Sequence, residues 1–157
     1  MKELATNILN KLVKKKITIS FAESCTGGLL SSSITSLKGS SKVFSLGLVV
    51  YSNQSKIKIL KVSEKNIKKY GAVSNQVCLN MVKNACKLGK TKMAVSVTGI
   101  AGPTGATKKK PVGLVYIGIK RANKVKVNRY LIKNKGRSNI QKTAVKKSLE
   151  LILSVLK

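Results

Sequence analysis

Three short apolar runs, rich in β-branched residues, each break off into a polar stretch that opens a helical segment or a glycine loop. ITISFAE (17–23) runs into SCTGG, VFSLGLVVYS (43–52) into NQSK, and MAVSVTG (93–99) into IAGPTG. Short strands separated by segments of helical periodicity point to an α/β sheet. In such sheets ligands collect in the crevice outside the carboxyl ends of the strands. One recurring pattern therefore indicates both a fold class and where chemistry should be sought.

The rest of the chain fits that frame. Leu4, Ile8 and Leu12 recur at helical spacing, so residues 2–14 read as a helix. Further helices are expected at LLSSSITSL, from Asn53 through QSKIKILK, at about 64–70 before Gly71, and over NQVCLNMVKNACKL with Ser74 as N-cap. VGLVYIGIK (112–120) and KVKVNRYLI (124–132), joined at RAN, read as a hairpin. Lysines alternating with valines suit its second strand to an exposed sheet edge. SNIQKTAVKKSLELILSVL closes the chain as an amphipathic helix. No linker or repeat interrupts residues 1–157, so one α/β domain with helices on both sheet faces is expected.

Composition narrows the chemistry. The formal charge is +28, from 32 Lys and Arg against four acids, and there is no His. The acids are Glu3, Glu23, Glu64 and Glu150; only Arg121, Arg129 and Arg137 among the cations are arginines. Such a balance invites a nucleic-acid reading, since neutralising phosphates is where basic charge gains affinity. Against a specific nucleic-acid partner, the lysines are spread along the whole chain and aromatics make up only 4%. Cys25, Cys78 and Cys86 form no C-x-x-C, which points to reduced thiols and a cytoplasmic location. Without His, Asp or a cysteine cluster no metal site is expected, and no run is long enough for a membrane span.

The octapeptide FAESCTGG (21–28) sets Glu23, Ser24, Cys25 and Thr26 before two glycines. Hydroxyls at such a turn commonly cap a helix. A nucleophilic Ser24 needs a base, and only Lys, Tyr or Glu remain. YSNQSK supplies Tyr51 and Lys56 at another strand end. Lysine serves as a base once burial or a neighbouring cation lowers its pKa toward neutrality. Neither TGG nor TGIAG matches a Walker loop or a dinucleotide fingerprint.

AESCTGG, GLVVYSNQSKIKIL, YGAVSNQV, SVTGIAGPTG and KPVGLVYIGI together resemble, in this order and spacing, the CinA C-terminal family. The resemblance runs from about Leu4 to the final helix. It implies nicotinamide mononucleotide amidohydrolase activity and a three-layer α/β/α fold with a mixed, mostly parallel five-stranded sheet. It also implies no cofactor and commonly a homo-oligomer. Longer relatives carry an N-terminal domain, and the stand-alone form is expected here. Carried over, the nucleophile is Ser24, with Lys56, directly or through Tyr51, as base. Thr26 and Gly27 in the turn, Thr98, Gly99 and Gly102 in the TGIAG loop, and Arg137 before the last helix are expected to hold the substrate. Departures from the family pattern are Asn75 and Gln76 in place of an acidic pair. In K-G-R-S-N-I-Q, Arg137 is kept while an Asp and a second Arg are lost. The rival readings are a non-catalytic pyridine-nucleotide-binding module and a basic nucleic-acid-binding protein.

Overall fold

The computed structural model describes residues 1–157. In chain order the elements are α1 (Lys2–Lys14), β1 (Ile19–Glu23), α2 (Leu29–Thr35), β2 (Phe44–Val49), α3 (Asn53–Lys58) and α4 (Glu64–Tyr70). They continue with α5 (Asn75–Leu88), β3 (Met93–Gly99), β4 (Leu114–Arg121), β5 (Lys124–Leu131) and α6 (Arg137–Val155). The strands lie in the order β2-β1-β3-β4-β5. β1 is parallel to both β2 and β3, while β3–β4 and β4–β5 are antiparallel. The sheet is therefore mixed: its pairings divide evenly, and only β4 runs against the other four strands. β5 is an edge strand, as its alternating lysines suggest, and β2 forms the opposite edge.

Strand alternation sends successive residues to opposite faces and so makes three layers. Phe21, Val95 and Ile117 face a core built with Ile8 and Leu12 of α1, Leu30 and Ile34 of α2, and Ala144 and Leu149 of α6. Their neighbours Ala22 and Ala94 face a second cluster with Leu60, Ile67, and Val77, Met81 and Val82 of α5. That face is lined by small residues, so α5 lies close against the strands. A Cβ added to Gly118 would stand 2.7 Å from Ser96 Oγ and 3.2 Å from Cys78 Sγ. Ser74 caps α5, its Oγ accepting the Val77 N–H at 3.3 Å.

α1 and α5 end alike. Ile17 N–H donates to Leu12 O and Lys16 N–H to Val13 O; Thr91 and Lys90 repeat the pattern onto Cys86 O and Lys87 O. This pair of hydrogen bonds closes a helix when the residue just past it turns left-handed, a position glycine usually fills. Here lysines fill it, Lys16 at φ 50 and Lys90 at φ 48. α2 is shorter than its sequence suggests, and the segment between it and β2 winds into a 3-10 turn at Ser40–Lys42. α6 starts one residue early, so that Arg137 opens the helix rather than preceding it.

Candidate active site

The carboxyl ends of β1, β2 and β3 bring Ser24, Tyr51 and Thr98 to one end of the sheet, beside the first turn of α6. Ser24 follows β1 directly, and its N–H donates to Val97 O of β3 at 3.0 Å. That bond extends the ladder by one residue and fixes where the side chain leaves the sheet.

Lys56 is 1% exposed, and its Nζ lies 2.9 Å from Ser24 Oγ. The same Nζ donates to Val50 O at 2.8 Å and Tyr51 O at 3.0 Å. Burial lowers the pKa of this ammonium from 10.5 to about 8, against the raising influence of Cys25. The drop corresponds to about 3 kcal/mol against the charged form. The neutral amine has two N–H bonds for the two carbonyls and a lone pair for the Ser24 hydroxyl. The ammonium has three donors for the same three oxygens. Either protonation state is thus satisfied in one geometry, which is what a group that takes and returns a proton requires.

The neighbouring side chains have other duties. Cys25 is buried, and loss of hydration pushes its thiol up to about 12, so it is a protonated thiol at neutral pH. Glu23 does not reach Lys56. Its carboxylate accepts the N–H groups of Gly28 (3.1 Å), Leu30 (3.0 Å) and Ser31 (2.8 Å), and the Ser31 hydroxyl at 2.6 Å. It therefore caps α2 and anchors the turn that carries Ser24.

The turn amides divide in a way the glycines do not suggest. Gly27 N–H donates to Ser24 O at 3.1 Å, and Gly28 N–H is taken by Glu23. Cys25 and Thr26, the two residues after Ser24, have N–H groups that no other residue accepts. Thr26 is fully buried, and its Oγ1 is the one buried side-chain N or O atom with no hydrogen-bond partner. The turn amides left unengaged by the fold thus precede the glycines. Gly27, at φ 60, shapes the turn instead.

Tyr51 contributes its carbonyl, not its phenol, to Lys56. The residue is 58% exposed, and its hydroxyl accepts a hydrogen bond from Arg137 Nη2 at 2.7 Å. Arg137 Nη1 donates to Gly102 O at 2.8 Å, so one guanidinium ties the β2–α3 segment, the TGIAG loop and α6 together. Thr98 Oγ1 donates to Ala72 O at 2.9 Å and is nearly fully buried. Gly99 has no room for a side chain, since a Cβ would meet Leu114 O at 2.8 Å; a Cβ on Gly102 would meet Val112 at 2.7 Å. Gln141, in the place of the second family arginine, donates Nε2 to Cys25 O at 2.8 Å. It lies four residues after Arg137, on the same face of α6, and that spacing is the signal that could have found it. No group of His, Cys, Asp or Glu side chains is placed to hold a metal ion.

The sequence matches the CinA C-terminal domain over residues 1–156. The chain belongs to the CinA C-terminal domain family. A CinA-like protein of Prochlorococcus marinus (strain MIT 9301) is 46% identical, over 96% of this chain and 37% of the relative. One from Endomicrobium trichonymphae is 47% identical, over 90% and 33%. The chain thus spans about a third of the length of these curated CinA relatives. Among solved structures, the competence/damage inducible protein CihA from Agrobacterium tumefaciens superposes with a TM-score of 0.96 at 37% identity, covering 99% of this chain and 95% of that one. A CinA superfamily protein from Enterobacter cloacae gives 0.94 at 27% identity, covering 99% and 92%.

Proposed function

We propose that the protein is an amidohydrolase that converts nicotinamide mononucleotide to nicotinate mononucleotide and ammonia. The observation that carries this reading is the buried Lys56 Nζ, 2.9 Å from Ser24 Oγ in a chain with no histidine. A lysine beside a serine hydroxyl, held near a pKa of about 8, is an activated nucleophile and its base. Membership of the CinA family and the kept Tyr51, Thr98 and Arg137 support the choice of substrate.

In the proposed reaction, Ser24 Oγ bonds to the carboxamide carbon while neutral Lys56 takes its proton. The negative oxygen falls to the Cys25 and Thr26 N–H groups, each worth about 3–4 kcal/mol if aimed at it. Lys56, now an ammonium, passes its proton to the amide nitrogen, the C–N bond breaks and ammonia leaves. Water then attacks the serine ester, and Lys56 accepts its proton and returns it to Ser24 Oγ. One water is consumed and one ammonia released, with the serine regenerated. Arg137, at the rim, is the cation available to the substrate's phosphate.

Incubation with nicotinamide mononucleotide and an ammonia assay test the reading. The unaltered protein should release ammonia, Ser24→Ala should release none above background, and Cys25→Ala should keep most of the rate. Loss of turnover in Cys25→Ala with retention in Ser24→Ala would transfer the nucleophile to the thiol. No ammonia from the unaltered protein would remove the amidohydrolase reading altogether.

A further inference from the structure

The end of the sheet opposite Ser24 gathers cations that the sequence scatters. Lys15 follows α1, Lys90 and Lys92 lie between α5 and β3, Arg121 ends β4, and Lys124 and Lys126 open β5. Strand register brings these segments together, since Arg121 is opposite both Met93 and Lys124. Lys92 Nζ donates to Lys16 O at 3.0 Å, and Arg121 donates to the Val155 carbonyl at the end of α6. Lys15, Lys92, Lys120 and Arg121 line a cavity of about 500 Å³ with Thr91. A second cavity, of about 1090 Å³, shares Arg121 and is lined by Lys124 and Lys126.

No glutamate answers this charge. Glu23 caps α2, Glu64 and Glu150 pair with Lys68 and Lys147, and Glu3 lies at the far end of α1. Helix C-termini attract cations, which accounts for Arg121 and Lys92 on backbone carbonyls. It does not account for Lys15, Lys90, Lys124 and Lys126, which are exposed and donate to no protein acceptor. Lys90 also holds the left-handed position where glycine is less strained, so the charge is kept there at a backbone cost.

We propose that this end of the sheet docks the sugar–phosphate backbone of double-stranded nucleic acid, by charge and without reading sequence. Uncompensated cations release condensed counter-ions when they meet a row of phosphates, and that release drives the association. The face offers one guanidinium and no Trp, Tyr or Phe among its cavity-lining residues, so base readout and base stacking have no instruments here. All of these cations but Lys90 line concave relief, which suits discrete phosphates better than the plane of a bilayer. Ser24 stands at the other end of the strands and remains free while a duplex is held.

The test is fluorescence anisotropy of a labelled mixed-sequence DNA duplex of about 20 base pairs, titrated with the full chain from about 50 to about 200 mM KCl. One variant combines Lys15→Gln, Lys90→Gln, Lys124→Gln and Lys126→Gln. A control removes the same charge elsewhere, with Lys58→Gln, Lys65→Gln, Lys83→Gln and Lys146→Gln, all exposed in the structure. The first variant should lose at least about tenfold in affinity, and its salt slope should shrink by about 3.6, from about 0.9 for each of the four lost phosphate contacts. The control should lose less than about threefold, and circular dichroism should report both folded. Equal losses in the two variants would overturn the proposal, since only overall charge would matter. So would displacement by tripolyphosphate at equal phosphate concentration, or adhesion to phosphatidylglycerol vesicles at salt that frees the duplex.

Discussion

At the carboxyl end of the sheet stands one lysine, Lys56, almost wholly buried and bonded to a serine hydroxyl and two carbonyls. At the amino end, Lys15, Lys90, Lys124 and Lys126 reach into solvent without a protein acceptor. The side chain is the same and the chemistry opposite. Burial brings the Lys56 pKa to about 8, so roughly a tenth of the molecules hold it neutral at pH 7. The exposed lysines can serve only as charge presented to solvent. In a chain with this much lysine, surroundings rather than residue type decide which lysine does chemistry. The largest test of that contrast is Lys56→Arg, which keeps a charge but holds its proton throughout the neutral range. Ammonia release should fall by about 10²–10⁴-fold, the usual worth of a general base. In the unaltered protein the rate should climb about tenfold per pH unit below 8 and level off above it, because only the neutral amine takes the serine proton. A pH-independent rate from 6 to 9 (roughly two units below and one above that pKa) would assign Lys56 a purely electrostatic part.

Arg137 lies between these extremes, at the rim, joined to Tyr51 and Gly102. If it also holds the substrate phosphate, Arg137→Ala should weaken nicotinamide mononucleotide binding by about 1.5–3 kcal/mol. The riboside, lacking that phosphate, should lose much less, and titrating both ligands into both proteins gives the comparison. An equal penalty for the two would make Arg137 a tie between loops and nothing more.

The strand ends were legible because β-branched runs and turn glycines are local signals, and Ser24, Lys56 and Arg137 came from motifs in order. What was not legible depends on partners that exist only after folding. Glu23 caps backbone amides of α2, groups every residue carries, so no side-chain pattern announces them. Gly27 was expected to hold the substrate, yet the folded turn engages the amides of Gly27 and Gly28 and leaves those of Cys25 and Thr26 without a partner residue. The cations of the amino end looked dispersed because β4 returns antiparallel beside β3, placing Arg121 opposite Met93 across 28 residues of chain. Topology, not composition, made the cluster.

The smallest expected effect is the one that best separates stability from charge at that end. Lys90 closes α5 at φ 48, in the position where a β-carbon crowds the backbone and glycine has none. Lys90→Gly should relieve about 1 kcal/mol of that crowding, offset in part by the greater freedom glycine gives the unfolded chain. A net gain of about 0.5 kcal/mol corresponds to a rise in Tm of about 1–2 °C for a chain of this size. The same change removes one exposed charge, so the duplex salt slope should shrink by about 0.9. Ammonia release should stay as it was, because Ser24 and Lys56 lie beyond the length of β3. Thermal melts and the duplex titration together test this. A lower Tm would mean that the Lys90 side chain stabilises the end of α5. An unchanged salt slope would place the phosphates on other lysines.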